Sequence, residues 1–199
     1  VESKETLIVL VRVIQSLLMI FGGWMVFNIS LLIFKKESVA FISFFIYLSY
    51  PFFIFYQGML LSETLFIYFL LTSFYFLYKW KEEGFLFDRY FYLTNIFFIL
   101  CIYTKATLIF LPPILVTILF FAISKKTKCA IKIFILSSLV FILLMSPWWI
   151  RNYQIFNEFI PFTTSSGANL YLGNNPNNKL GGVDWGVDVE RDIVDEISL

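Results

Sequence analysis

Between Ser38 and Tyr78 the chain carries one charged residue, Glu63, in an otherwise uncharged and mostly apolar run. A helix rises about 1.5 Å per residue, so roughly 20 residues cross a hydrocarbon core of about 30 Å. The run is far too long to cross once and too apolar to face water. From Tyr90 to Ile123 the pattern recurs, with Lys105 as the only charge. Two helical hairpins, each turning at its lone charge, satisfy both runs, because each turn lets a charge leave the bilayer interior. Gln57-Gly58 loosens the chain before the first turn, and Ser62 suits the N-cap of a helix beginning at Glu63.

Composition agrees. Hydrophobic residues make up 59% of the 199, with 26 phenylalanines, and mean hydropathy is +0.81, outside the range of soluble domains. The expected fold is all-α, a polytopic transmembrane helical bundle of about six spans, near 13–34, 38–57, 63–78, 90–104, 106–123 and 130–150. Residues 1–151 form this membrane region, and residues 152–199 an exterior loop and the start of a polar domain. A net charge of +1 suggests no nucleic-acid partner. No histidine is present, which removes histidine-activated nucleophiles and HExxH metal sites from this chain. Cys101 and Cys129 are expected toward opposite faces, so no disulfide joins them. The first apolar run is too long for a cleavable signal peptide and is followed by Lys35-Lys36-Glu37. The chain starts without methionine and stops inside a charged, helix-like segment, as a piece of a longer protein would.

The basic clusters FKKES, YKWKEEG, FDRY and SKKTKCAIK all fall on one side of the six-span layout. The positive-inside rule makes that side cytoplasmic. Glu63, Lys105, Arg151 and the tail from Asn152 then face the exterior, with Arg12 near the exterior end of the first span. Pro51 and Pro112-Pro113 lie inside spans, where neighbouring helices would satisfy the freed carbonyls. In the tail, TTSSGANLYLGNNPNNKLGG is loop-forming and rich in amide donors, whereas DVERDIVDEISL has apolar residues at helical spacing.

Each exterior charge has two readings. Glu63 is either a carboxylate at the positive end of a helix dipole or a group that orients an acceptor hydroxyl or amine. Lys105 is either a snorkelling side chain or a phosphate ligand, and its turn, YTKATL, contains no Gly or Pro. Arg151, next to Trp148 and Trp149, is either an interfacial anchor or a bidentate phosphate ligand. Anchoring bases are biased to the inside, which favours the second reading for Arg151. Arg12 is either a partner of Glu63 or a further phosphate ligand.

The segments LLSETLFIYFLL (Leu60–Leu71), YTKATLIFLPP (Tyr103–Pro113), SPWWIRNYQIFNEFIPFTT (Ser146–Thr164) and ANLYLGNNP (Ala168–Pro176) occur in this order. Together they resemble the bacterial relatives of protein O-mannosyltransferases and of the lipid A aminoarabinose transferase, within the C-type superfamily of membrane glycosyltransferases. The resemblance covers nearly the whole chain, and VRVIQSLL (Val11–Leu18) is similar to the third-helix region of that family. It implies transfer of a sugar from a polyprenyl-phosphate carrier to a glycan, lipid or protein acceptor on the exterior face of the inner membrane. By the same resemblance Glu63 is a supporting acid, and Lys105 and Arg151 face the carrier phosphate. Asn152, Gly173, Asn174 and Asn175 match an exterior motif expected to bind sugar or acceptor. The family's main catalytic acid lies in a first exterior loop with no counterpart here, so this piece alone is expected to be inactive. No cofactor is implied; a divalent metal is compatible with the chemistry, but the sequence holds no ligand cluster for one. Two other functions fit the same charges: a transporter or flippase of lipid-linked sugars, and a non-catalytic envelope subunit.

Overall fold

The computed structural model describes residues 2–59, 62–85, 87–105, 111–124 and 127–163. Among them are seven α-helices: α1 (Glu2–Phe34), α2 (Glu37–Ser49), α3 (Pro51–Gly58), α4 (Glu63–Glu82), α5 (Arg89–Thr104), α6 (Leu111–Ser124) and α7 (Thr127–Phe156). The described residues contain no strand. The chain divides into two units, Val1–Pro147 and Trp148–Leu199. Gly173, Asn174 and Asn175 and the acidic segment after them lie outside the described residues.

The expected six spans are corrected. Among the described residues two helices, Lys4–Phe34 and Lys128–Phe156, are long and apolar enough to cross a membrane. The run at 38–57 breaks because Tyr50 turns extended (φ −70°, ψ 118°), leaving Pro51 at the first position of α3. The residue before a proline avoids the helical region, and the first helical position needs no N–H. Helix α5 has 16 residues and α6 has 14; at 1.5 Å per residue they reach about 24 and 21 Å, short of a 30 Å core. Helix α4 has 20 residues but places Glu63 in its first turn and Lys79 and Lys81 in its last.

In the first unit α4 and α5 pack along their lengths through small and polar side chains. Ser73, Thr94, Asn95 and Cys101 are buried, and such residues let helix backbones approach closely. Three of them turn back onto their own helices: Ser73 Oγ donates to the Leu70 carbonyl at 2.6 Å, Thr94 Oγ1 to Tyr90 at 2.7 Å and Asn95 Nδ2 to Phe91 at 2.9 Å. This suits a low-dielectric interior without water to accept those bonds. A hydrophobic cluster of Leu77, Trp80, Phe91, Phe98, Val116, Phe120, Ala130 and Ile133 joins α4 to α7. α1 meets α2 at Gly22 and Gly23, where a Cβ would lie 2.6 Å from Tyr47 Oη and 3.0 Å from the Phe44 ring.

Contacts gather the four basic clusters at one end of this unit. Lys35 at the end of α1 bonds Glu82 at 2.7 Å, Trp80 meets Phe91 at 5.3 Å, and Lys132 lies over the Phe87 ring at 4.8 Å. Away from the ends the surface is apolar. Leu10, Leu17 and Phe21 on α1, and Ile135, Leu139 and Leu143 on α7, are at least half exposed. Continuous apolar faces of this kind are suited to lipid.

Candidate functional site

At the opposite end of α4 and α5 from the basic clusters, the two lone charges of the apolar runs meet. Lys105 Nζ bonds Glu63 Oε1 at 2.6 Å across 42 positions of sequence. Glu63 opens α4 and Lys105 caps the C-terminus of α5. The carboxylate therefore sits at a positive helix end and the ammonium at a negative one. Lys105 leaves the helix in extended geometry (φ −146°) and its N–H still bonds the Cys101 carbonyl at 2.8 Å, so its side chain departs from a fixed point. Ser62 precedes Glu63 as expected, but its hydroxyl makes no capping bond; only its carbonyl serves, accepting from Phe66 N–H at 2.9 Å.

The pair is half-buried, with side-chain exposures of 24% for Glu63 and 35% for Lys105. Glu63 Oε2 is buried and has no hydrogen-bond partner among the described residues. A carboxylate with one oxygen on a lysine and the other unsatisfied retains the capacity to accept a further N–H or O–H. An ammonium has three donors, so Lys105 can hold Glu63 and still contact an anion. Arg12 is not the partner of Glu63: it is exposed and forms no ion pair among the described residues.

The second unit carries Arg151 and Asn152 at the end of α7. Asn157 adopts a left-handed conformation (φ 53°) and its N–H bonds the Tyr153 carbonyl at 2.9 Å, a helix-ending geometry that asparagine tolerates. The chain then returns along the helix. Trp148 Nε1 donates to the Phe162 carbonyl at 3.1 Å, Trp149 Nε1 to Pro161 at 2.9 Å, and Asn152 Nδ2 to Ile160 at 2.9 Å. The arginine is exposed, its guanidinium 5.4 Å from the Trp148 ring centroid and its Nη1 donating to Asn152 Oδ1 at 3.2 Å. In the sequence the two tryptophans stand out only as neighbours of Arg151, and their bonds to the returning segment are not visible there. The available signal was Asn157 followed by FIPF, a helix stop and an apolar run placed to fold back. Among the described residues no group of three His, Cys, Asp or Glu side chains is placed to hold a metal.

A chain whose described residues form only helices, with apolar faces this extensive, is an integral membrane protein. Residues 5–150 match the dolichyl-phosphate-mannose-protein mannosyltransferase family, and the chain belongs to that family of membrane glycosyltransferases. The match includes Arg12, Glu63 and Lys105 and stops one residue before Arg151. No curated protein and no solved structure matches the chain.

Proposed function

We propose that the chain belongs to an enzyme that moves a sugar from a polyprenyl-phosphate carrier to an acceptor at the exterior face of the inner membrane. The observation that carries this is the Glu63–Lys105 pair, set at the end of α4 and α5 remote from the basic clusters, with Glu63 Oε2 unsatisfied among the described residues. A lipid-linked donor keeps its tails in hydrocarbon and its phosphate at the interface, where helix-end charges meet it. In an inverting transfer the acceptor oxygen or nitrogen attacks the anomeric carbon and the bond to the phosphate oxygen breaks. Negative charge grows on the departing lipid phosphate. Lys105 stabilises that charge, and Glu63 holds Lys105 by one oxygen while the other accepts a hydrogen bond from donor or acceptor. The general base that takes the acceptor proton is not assigned to a residue of this chain. Arg151 is a phosphate ligand in its own right, its planar fork suited to two phosphate oxygens. Arg12 is a further cation available to the anionic carrier.

The test is transfer from labelled polyprenyl-phosphate sugars by the full-length protein. Lys105→Ala should lower kcat by about 100-fold or more, the scale seen when one charge-stabilising donor is removed. Glu63→Gln should lower it by at least about tenfold, because it frees Lys105 and weakens the acceptor at Oε2. Unchanged transfer in both variants, at normal membrane insertion, would reduce the pair to a staple between two helix ends.

A further inference from the structure

Arg151 belongs to a small assembly contained in the second unit. Three carbonyls in succession, those of Ile160, Pro161 and Phe162, accept hydrogen bonds from three side chains in just over one turn of α7: Asn152, Trp149 and Trp148. Two of these residues also touch Arg151. The Trp148 ring lies under the guanidinium, and Asn152 Oδ1 accepts from its Nη1. Each of the two is thus tied to the returning backbone at one end and to the arginine at the other. Asn152 is 2% exposed, with its amide engaged at both ends by the chain itself. A lone anchoring arginine needs no such support, because it functions by reaching water with whatever rotamer is free. A guanidinium that must meet two phosphate oxygens gains from being held beforehand, since ordering the side chain no longer opposes binding. The remaining N–H groups of Arg151 have no protein partner among the described residues and stay exposed.

We propose that Trp148 and Asn152 are positioning residues: they pre-orient the Arg151 guanidinium for a lipid phosphate, with the 160–162 segment as their fixed support. This rests on the phosphate role given to Arg151 above, and assigns Asn152 to the arginine rather than to the sugar. A phenylalanine at position 148 keeps a ring under the guanidinium and loses only the indole N–H; a leucine loses both.

In the full-length enzyme, with donor titrated and rates normalised to inserted protein, Trp148→Leu and Asn152→Leu should each lower kcat/KM for the polyprenyl-phosphate sugar by about tenfold, the scale of a misplaced binding group. Trp148→Phe should retain at least about a third of wild-type kcat/KM, since the ring still stacks on the arginine. The double variant Arg151→Ala/Trp148→Leu should be no slower than Arg151→Ala alone, because a residue acting only through Arg151 has nothing left to position. Losses that multiply in the double variant, or a Trp148→Phe as slow as Trp148→Leu, would overturn the positioning role while leaving Arg151 a ligand. An Arg151→Ala variant that transfers normally would instead remove the phosphate role itself, and the positioning role with it.

Discussion

At Gly84 the backbone turns left-handed, with φ +73°. Helix α4 ends there because Gly84 N–H bonds the Lys81 carbonyl at 3.1 Å and Phe85 N–H bonds Trp80 at 3.0 Å. This bonding pattern closes a helix C-terminus and is completed by an apolar contact across it. Phe85 supplies that contact, its ring 4.8 Å from the Trp80 ring and 5.0 Å from Phe120. Nothing lies within 4 Å of a Cβ built at Gly84, so alanine there meets only the conformational penalty. Gly84→Ala should destabilise the detergent-solubilised protein by about 1 kcal/mol in denaturant unfolding, without altering sugar transfer. An unchanged unfolding midpoint would show that the left-handed turn is not what ends the helix. In the sequence, EEGF after a lysine-rich turn is a readable stop signal. The ion pair of Glu63 and Lys105 was not readable in the same way. Each charge stood out alone in apolar sequence, but their meeting depends on α5 running back along α4 to its first turn, across 42 positions, which no local pattern encodes.

Two prolines show why whole elements were harder to place than single residues. Both Pro51 and Pro147 sit in apolar runs, yet one ends a helix and the other lies inside α7. At Pro147 the helix loses its bond to the Leu143 carbonyl; Ser146 Oγ donates to that oxygen at 2.8 Å, and the Tyr103 hydroxyl donates to the Leu144 carbonyl. With those acceptors satisfied, α7 continues. Tyr50 instead turns extended, and the run at 38–57 becomes two short helices. Hydropathy detects the apolar run, but the fate of a proline within it turns on whether a nearby side chain, here Ser146, takes up the freed carbonyl.

The ends of α1 and α4 are joined by Lys35 and Glu82, with side-chain exposures of 67% and 37%. Exposed pairs of this kind contribute about 0–1 kcal/mol. The hydrogen bond from Lys35 is the largest influence holding the Glu82 carboxyl below its usual range, with Lys35 and Lys79 charges adding to it. A depressed carboxylate pKa in the folded state stabilises above the unfolded value, and that contribution is lost as pH falls through the folded value. The stability difference between wild type and Glu82→Gln should therefore be small and positive near neutral pH, and shrink as pH is lowered through and below the ordinary carboxylate range. A difference that grows on acidification would contradict the pairing.

At the scale of the whole molecule, the placement of charge is the part of the sequence that carried furthest. Four basic clusters were expected on one side, and contacts through Lys35, Trp80 and Lys132 bring them to one end of the first unit. Which side of the membrane that end occupies follows from the positive-inside rule, and it decides whether Glu63 and Lys105 face the exterior as the proposed transfer requires. The two cysteines allow a direct measurement. Cys129, next to Lys128 in the last basic cluster, is exposed, whereas Cys101 is buried between α4 and α5 with its Sγ 3.9 Å from the Phe66 carbonyl. A membrane-impermeant maleimide applied to spheroplasts expressing the full-length protein should leave Cys129 unlabelled. In inverted membrane vesicles it should label Cys129, and Cys129→Ser should abolish that increment while Cys101 stays unreactive in both preparations. Labelling of Cys129 from outside intact spheroplasts would place the basic end at the exterior. Glu63 and Lys105 would then face the cytoplasm, and an exterior transfer could not use them.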